Sequence, residues 1–487
     1  MMPVLAVIVP MSWGFIIPLV YLFRRKLLDQ AILLFAFISF MVTLATAFSG
    51  WQGYNVAFLG GWSAGLGIVF VVDKLSAAFL VLAATGSGAA FLVSYGRFRA
   101  DPWRYYVIFF LLQSAMNGIL VTGDMFTLFV FYEIFSLAAY LLVSFTMSWQ
   151  AIEAGLKYLV LGTIGAFFIL LGTAYIFMAT GALNMAILSV SLPQAPPETL
   201  TVIAACLLIG LFIKIGAFPV HFWLPDAHSS AQTAVSALLS GVVVKVSIYA
   251  LARVSLLFFL ETRPAAFTVI TSIGILSILG GHLMALRQED IKRLLAFSTV
   301  AQIGYILTGV GTGTAAGITA AVFHAFNHMF MKGGLFITAG QLSEDMKTRN
   351  ISQLRGLYRH RPGFVIAFTV LAAAIVGIPP LNGFMGKWYL MLASVDAGNI
   401  VSALALAAGT VISAFYYLRI LSSLYSPGVP PSRRKPFYWP FRVTVTFAVF
   451  CVLLGLTAFM PPVWKAFSTI GTCALDTTAY IAAVLVE

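Results

Sequence analysis

The sequence predicts an all-α polytopic membrane protein of about fourteen transmembrane helices, in two inverted five-helix repeats (helices 4–8 and 9–13) with helices 7 and 12 broken. Three observations carry this. The 487 residues are 61% hydrophobic and only 9% charged, against about 25% charged in a soluble domain. Apolar runs long enough to span a bilayer recur along the whole chain. The runs are continuous rather than alternating, which excludes a β-barrel.

The runs place helices near 3–23, 30–49, 66–95, 105–122, 124–147, 155–180, 199–222, 230–257, 265–286, 291–311, 315–341, 363–395, 400–425 and 439–463. The tail 464–487 reads as an interfacial helix or an extra span. The start, MMPVLAVIVPMSWGF, has no basic n-region and no small-residue cleavage site, so it reads as a retained first helix. The organisation is then helices 1–3 over 1–104, a first repeat over 105–257, a second over 265–425, and helix 14 with the tail over 426–487.

The net charge of +12 does not point to nucleic acid, because the cations sit in short loops. Arg24, Arg25 and Lys26 follow helix 1; Arg97, Arg99 and Arg104 follow helix 3; Arg287, Lys292 and Arg293 follow helix 9; residues from Lys347 to Arg361 follow helix 11; Arg433, Arg434 and Lys435 follow helix 13. Loops after even-numbered helices hold little beyond Arg263 and Lys465. The positive-inside rule puts the odd loops in the cytoplasm, hence a multi-pass protein of the cytoplasmic (inner) membrane with both termini outside. Cys206, Cys451 and Cys473 form no ligand-spaced motif and read as free thiols.

The repeat is faint. Asp124 opens a helix carrying Phe131, Ser136 and Tyr140, and Asp290 opens one carrying Phe297, Gln302 and Tyr305. Two helices later each half has a Pro-broken span with a lysine: Lys214 before Pro219, and Lys387 after Pro379 and Pro380. An odd number of spans per copy makes the copies inverted.

Charges inside the apolar runs bear on function. A charge near the bilayer centre costs at least ~2.5–3.5 kcal/mol, and such residues mark ion pathways by default. Glu133 is the one acidic residue in mid-run, with Ser136 and Tyr140 on its face; it suits either a pair with a neighbouring lysine or a structural helix–helix contact. Lys214 and Lys245 lie in the runs flanking Gly216, Pro219 and Pro225, too far from a helix end for easy snorkelling. A buried lysine is a group that can gain and lose a proton. Lys157 is nearer a helix start, where snorkelling is open. His324, His328 and Lys332 recur every fourth residue, a stripe about 12 Å long, beside Asn327. They read as a proton relay; a structural histidine or a metal or haem pair is the alternative. His282 is ambiguous, His221 and His228 read as interfacial, Arg253 and Arg419 as anchors, and Asp73 and Lys74 have no assigned role.

The stretches KIGAFPVHFWLPDAHSSAQTAVSALLSGVVVKVSIYALARV, RQEDIKRLLAFSTVAQIGYI, FHAFNHMFMKGGLF and GIPPLNGFMGKW resemble the antiporter-like subunits shared by respiratory complex I, membrane-bound hydrogenases and Mrp-type cation/proton antiporters. The resemblance covers roughly residues 60–425 and is most specific over 205–257. It implies the fourteen helices, the inverted repeats and the broken helices 7 and 12. It also implies roles for the helix-5 glutamate Glu133, the lysines Lys214 and Lys245, the helix-11 histidines His324 and His328, and Lys387 on helix 12. A lysine at 387 resembles the N-type, L-type and Mrp D-type members; M-type members have glutamate there. The long lateral helix of L-type members is not expected, so the nearest resemblance is to Mrp D-type and N-type subunits.

The expected activity is proton translocation as a subunit of a multisubunit ion pump. Glu133, Lys214, Lys245, His324, His328, Lys332 and Lys387 form the path, with Lys157, His282, Ser136 and Tyr140 secondary. The partners expected are other membrane subunits, the lipid bilayer, H+ and, in an antiporter, Na+. No cofactor and no metal is expected: there is no CxxC cluster, no GxGxxG after a strand and no haem-type histidine pairs on two helices. The alternative reading is a b-type haem or quinone oxidoreductase membrane subunit using His324 and His328.

Overall fold

The computed structural model describes residues 1–98, 102–428, 438–458 and 460–485. The loop charges Arg99, Arg433, Arg434 and Lys435 lie outside the described residues. In chain order the elements are α1 (Met2–Arg24), α2 (Leu28–Gln52), β1 (Asn55–Phe58), β2 (Val69–Val72), α3 (Lys74–Ser94), α4 (Pro102–Val121), α5 (Met125–Ser144), α6 (Trp149–Thr180), α7 (Met185–Ser191) and α8 (Pro197–Ile215). There follow α9 (Trp223–Ser230), α10 (Thr233–Leu238), a π-helical turn (Leu239–Val243), α11 (Val244–Phe258), α12 (Ala265–Leu286), α13 (Ile291–Val310) and α14 (Ala315–Met346). The last are α15 (Leu357–His360), α16 (Pro362–Val376), α17 (Asn382–Asp396), α18 (Ile400–Tyr425), α19 (Tyr438–Thr457), α20 (Pro461–Leu475) and α21 (Thr477–Leu485).

Every apolar run expected to be a helix is helical over most of its length. Among the described residues eleven segments are long and apolar enough to cross a bilayer, or twelve if the pair α20–α21, bent by 67°, is one span. That count treats Met2–Gln52 as one segment, but the chain doubles back there: Thr46 Oγ1 on α2 donates to the Met2 carbonyl at 3.1 Å. The other expected spans are α14, with its polar stripe, and the broken pair α16–α17. Pro10 inside α1 deprives the Ala6 carbonyl of its helical donor; Asn117 Nδ2 on α4 supplies another at 2.7 Å.

Two boundaries differ from expectation. Residues 69–72 are a β-strand rather than the start of helix 3. The Val-Phe-Val-Val run pairs antiparallel with 55–58, Asn55 opposite Val72, and the helix starts only where Asp73 caps it by accepting from Ser76 N at 2.9 Å. Helix 7 stops at Ile215 because Gly216 takes the left-handed conformation, φ 71°. Lys214 is therefore the second-last residue of its helix, not deep inside one.

Asp124 and Asp290 each cap a 20-residue helix, α5 and α13, and each is followed by a 32-residue helix, α6 and α14. Each Asp also makes a short antiparallel backbone bridge, to Asn184 and to Asn350. Polar side chains gather deep between α5, α8, α11, α13, α14, α17 and α18.

Candidate functional site

The first break places Lys214. Beyond α8, the Ile213 carbonyl accepts from Gly216 N at 3.1 Å and from Trp223 Nε1 at 2.9 Å, and Phe218 N donates to Ser277 Oγ on α12 at 3.0 Å. Within the irregular stretch Gly216, Ala217 and His221 are buried, while Pro219 and Phe222 are exposed; at membrane depth such backbone is tolerated where protein buries it or it lines a wet cavity. Lys214 is 2% exposed, with Nζ 4.0 Å from Glu133 Oε1 on α5. It donates to Ser136 Oγ at 2.6 Å and lies 5.6 Å from the Tyr132 ring centre. The Glu133 side chain is 45% exposed, but the Oε1 atom that faces Lys214 is itself buried. Tyr140 is buried one turn beyond Ser136.

The centre is built from α11 and α14. The π turn opens the helical ladder just before Lys245, and the Lys245 ammonium donates to the Ser240 carbonyl inside that turn. Ser240 Oγ and Thr299 Oγ1 on α13 are 2.8 Å apart. On α14, His324, His328 and Lys332 are all fully buried. His324 Nε2 is 2.8 Å from Gln302 Oε1, and the His324 and His328 ring centres are 6.5 Å apart. Lys332 Nζ donates to the Leu295 carbonyl at 2.8 Å and to Tyr417 OH at 3.2 Å.

The second break places Lys387. Gly377, φ 91°, ends α16, and Lys387, one turn into α17, donates to the Val376 carbonyl at 3.0 Å. The ammonium sits at the negative end of the α16 dipole and 4.9 Å from the Tyr305 ring centre. Asn382 and Asn327 exchange hydrogen bonds at 3.0 and 3.1 Å, fixing α17 on α14. His282, on α12, is fully buried between Tyr416 OH at 3.0 Å and Tyr305 OH at 3.3 Å.

Some expectations are corrected. Lys157 is half exposed, paired with Glu153 at 2.7 Å and Asp226 at 3.0 Å, so it stands apart from the buried groups. His228 is not interfacial: it is fully buried and stacks on Phe336, ring centres 5.0 Å apart. His221 is buried as well. Lys292 is not a mobile loop cation; it is buried and donates to the Ala231 carbonyl at 2.8 Å. Arg253 is no anchor. It is 5% exposed and paired at 2.5 Å with Asp73, 1% exposed. Burial pushes the Asp73 carboxyl up, but the Arg253 charge and hydrogen bonds from Arg253 and Ser76 outweigh it and hold the group below the usual carboxylate range.

The family described as "NADH:quinone oxidoreductase/Mrp antiporter, TM" matches residues 122–413, which hold every one of these groups except the Asp73 carboxylate and the Tyr416 and Tyr417 hydroxyls. The chain belongs to this family. It is 37% identical over 381 residues to the N-type subunit of NADH-quinone oxidoreductase from Desulforudis audaxviator, covering 77% of this chain and 76% of that one. It is 30% identical over 492 residues to the D-type subunit of the Na(+)/H(+) antiporter from Alkalihalophilus pseudofirmus, covering 99% of both. It superposes with TM-score 0.93, at 28% identity and 99% coverage of both, on a chain of the membrane-bound sulfane sulfur reductase, an archaeal respiratory membrane complex. The chain is an antiporter-like, multi-pass membrane subunit of the kind found in multisubunit complexes.

Proposed function

We propose that the chain translocates protons along a buried axis from Glu133 and Lys214 through Lys245 and the α14 stripe of His324, His328 and Lys332 to Lys387. The observation that carries this is the Lys214–Glu133 pair, 4.0 Å apart at a helix break. Two unit charges at that separation attract by about 4 kcal/mol at an effective dielectric of 20, less for a half-exposed carboxylate. Moving one charge against 100 mV costs ~2.3 kcal/mol. Opening and closing one such pair therefore matches the work of moving a proton against a membrane potential. Closed, the pair holds Lys214 charged; opened, Lys214 releases its proton towards Lys245.

The matched helices of 20 and 32 residues and the two Asp-centred bridges support reading 105–257 and 265–425 as inverted copies, each contributing one break. Loop charge supports odd loops in the cytoplasm, both termini outside, and residence in the cytoplasmic membrane. The 99% two-way coverage with a D-type antiporter chain supports a place in a Na+/H+ antiporter assembly; an equivalent place in a redox-driven pump is supported by the 37% identity to an N-type chain. Purifying the native complex separates the two: only small hydrophobic partners, or iron–sulphur subunits. A Soret band from the chain itself would revive the haem reading. Lys214→Ala abolishes proton uptake by membrane vesicles while the complex still assembles; retained uptake ends the axis.

A further inference from the structure

The polar groups between α12, α13 and α18 form a second line, hydrogen-bonded from Lys332 to Tyr305 and ending beside Lys387. Lys332 Nζ donates to Tyr417 OH at 3.2 Å, and Tyr417 OH lies 3.2 Å from Ser298 Oγ. Tyr416 OH donates to Ser298 Oγ at 3.0 Å and lies 3.0 Å from His282 Nδ1. His282 Nε2 lies 3.3 Å from Tyr305 OH, and Lys387 Nζ rests over the Tyr305 ring. All seven side chains are buried. A hydroxyl both donates and accepts, and an imidazole does so through its two nitrogens, so every member can pass a proton on. The α14 stripe is less continuous. Its two histidine ring centres are 6.5 Å apart, and neither His328 nitrogen has a hydrogen-bond partner among the described residues.

We infer that protons cross the second half of the molecule through Tyr417, Ser298, Tyr416, His282 and Tyr305, a wire that runs beside His324 and His328 rather than through them. This rests on the axis proposed above, keeps its course from Lys214 to Lys332 and its end at Lys387, and moves the stretch between Lys332 and Lys387 off the two histidines. The Lys332 ammonium gives a proton to the Tyr417 oxygen as that hydroxyl gives its own to Ser298. Ser298 passes its proton to Tyr416, and Tyr416 passes its proton to His282 Nδ1. The imidazole releases its Nε2 proton to Tyr305, whose own hydroxyl proton, donated in the structure to the Leu406 carbonyl at 3.2 Å, goes to the Lys387 amine once Lys387 turns from the ring face to the hydroxyl. One N–H bond breaks at Lys332 and one forms at Lys387; each hydroxyl keeps a proton, and His282 ends as its other tautomer. Tyr416 donating to Ser298 is the orientation that such a passage leaves. Rotation of the hydroxyls and return of the tautomer prepare the next one.

The test uses vesicles holding the full complex with Ser298→Ala, Ser298→Thr, Tyr416→Phe or Lys214→Ala, and reads initial proton uptake per assembled complex in H2O and in D2O. Ser298→Ala and Tyr416→Phe slow uptake ~100-fold or more, the low end of what a proton-transfer group contributes, and increase the solvent isotope ratio. Ser298→Thr, which keeps the hydroxyl, restores both. Tyr416→Phe keeps the ring and so decides the matter if Ser298→Ala assembles poorly. Wild-type rate and isotope ratio in Tyr416→Phe, with uptake lost in Lys214→Ala, overturn the wire alone. Uptake intact in Lys214→Ala overturns the axis instead.

Discussion

At the first break the lysine precedes the turn, and at the second it follows it. Lys214 ends α8 and faces a carboxylate on another helix, 4.0 Å away. Lys387 opens α17 and has no ion pair among the described residues; the Val376 carbonyl and the Tyr305 ring hold it instead. A carboxylate can move away or take a proton, so its hold on Lys214 can be switched. A helix-end carbonyl and a ring face carry no net charge, and their hold on Lys387 changes only if α16 and α17 move. On the proposed axis the first break serves as the switch and the second as a fixed terminus.

The largest effect that sharpens this contrast is at Glu133. Glu133→Gln keeps size and hydrogen bonding but removes the charge that holds Lys214. Proton uptake by vesicles falls ~100-fold or more, within the range for losing a proton-transfer partner, while assembly on a native gel is unchanged. Uptake near the wild-type rate would make the two breaks equivalent and end the switch. No single charge-neutralising change of a carboxylate does the same to Lys387, because no carboxylate among the described residues pairs with it.

A second contrast lies in the backbone of the breaks. A Cβ on Gly383 would come 1.8 Å from the Ala374 carbonyl oxygen, so α17 lies directly on the end of α16. At the first break a Cβ on Gly216 would meet the Leu224 side chain, at 2.6 Å, and the strain of the left-handed backbone rather than a neighbouring helix's main chain. Gly383→Ala therefore prevents assembly or displaces Lys387. Gly216→Ala costs roughly 1–2 kcal/mol for the left-handed residue, read as a modest fall in melting temperature of the purified complex. A larger loss at Gly216 than at Gly383 would reverse the picture of a fixed second break.

These positions differ in how far the sequence alone reveals them. Gly216, Pro219, Gly377 and Pro380 mark both breaks, because no helix propagates cleanly through such residues. Glu133, Lys214, Lys245 and the α14 stripe stand out because charge is rare in oil-like runs. The exact end of α8 is not legible, since Lys214 and Ile215 suit a helix interior as well as its last turn. Arg253 and Asp73 look like helix-end charges until folding joins residues 180 positions apart. His228 and Lys292 sit among loop-like neighbours, Pro225 and Asp226 in one case and Asp290 in the other, and only the packing of α9 and α13 buries them. Tyr416, Tyr417 and Ser298 carry no signal, because hydroxyl residues are ordinary in helix interfaces. A polar group with many innocent uses becomes readable only through its partners.

The smallest expected effect separates holding from switching within the first break. Ser136 Oγ accepts from Lys214 at 2.6 Å, closer than Glu133, and carries no charge. A hydrogen bond to a charged group contributes about 1.5–3 kcal/mol, so Ser136→Ala loosens the ammonium without removing the electrostatic gate. Proton uptake then falls ~10-fold, consistent with the low end of that range, and Ser136→Thr recovers most of it. Glu133→Gln must exceed Ser136→Ala by a clear margin. If the two lose the same amount, Lys214 is merely held in place by its neighbours, as Lys387 is, and the asymmetry between the breaks is one of position rather than of mechanism.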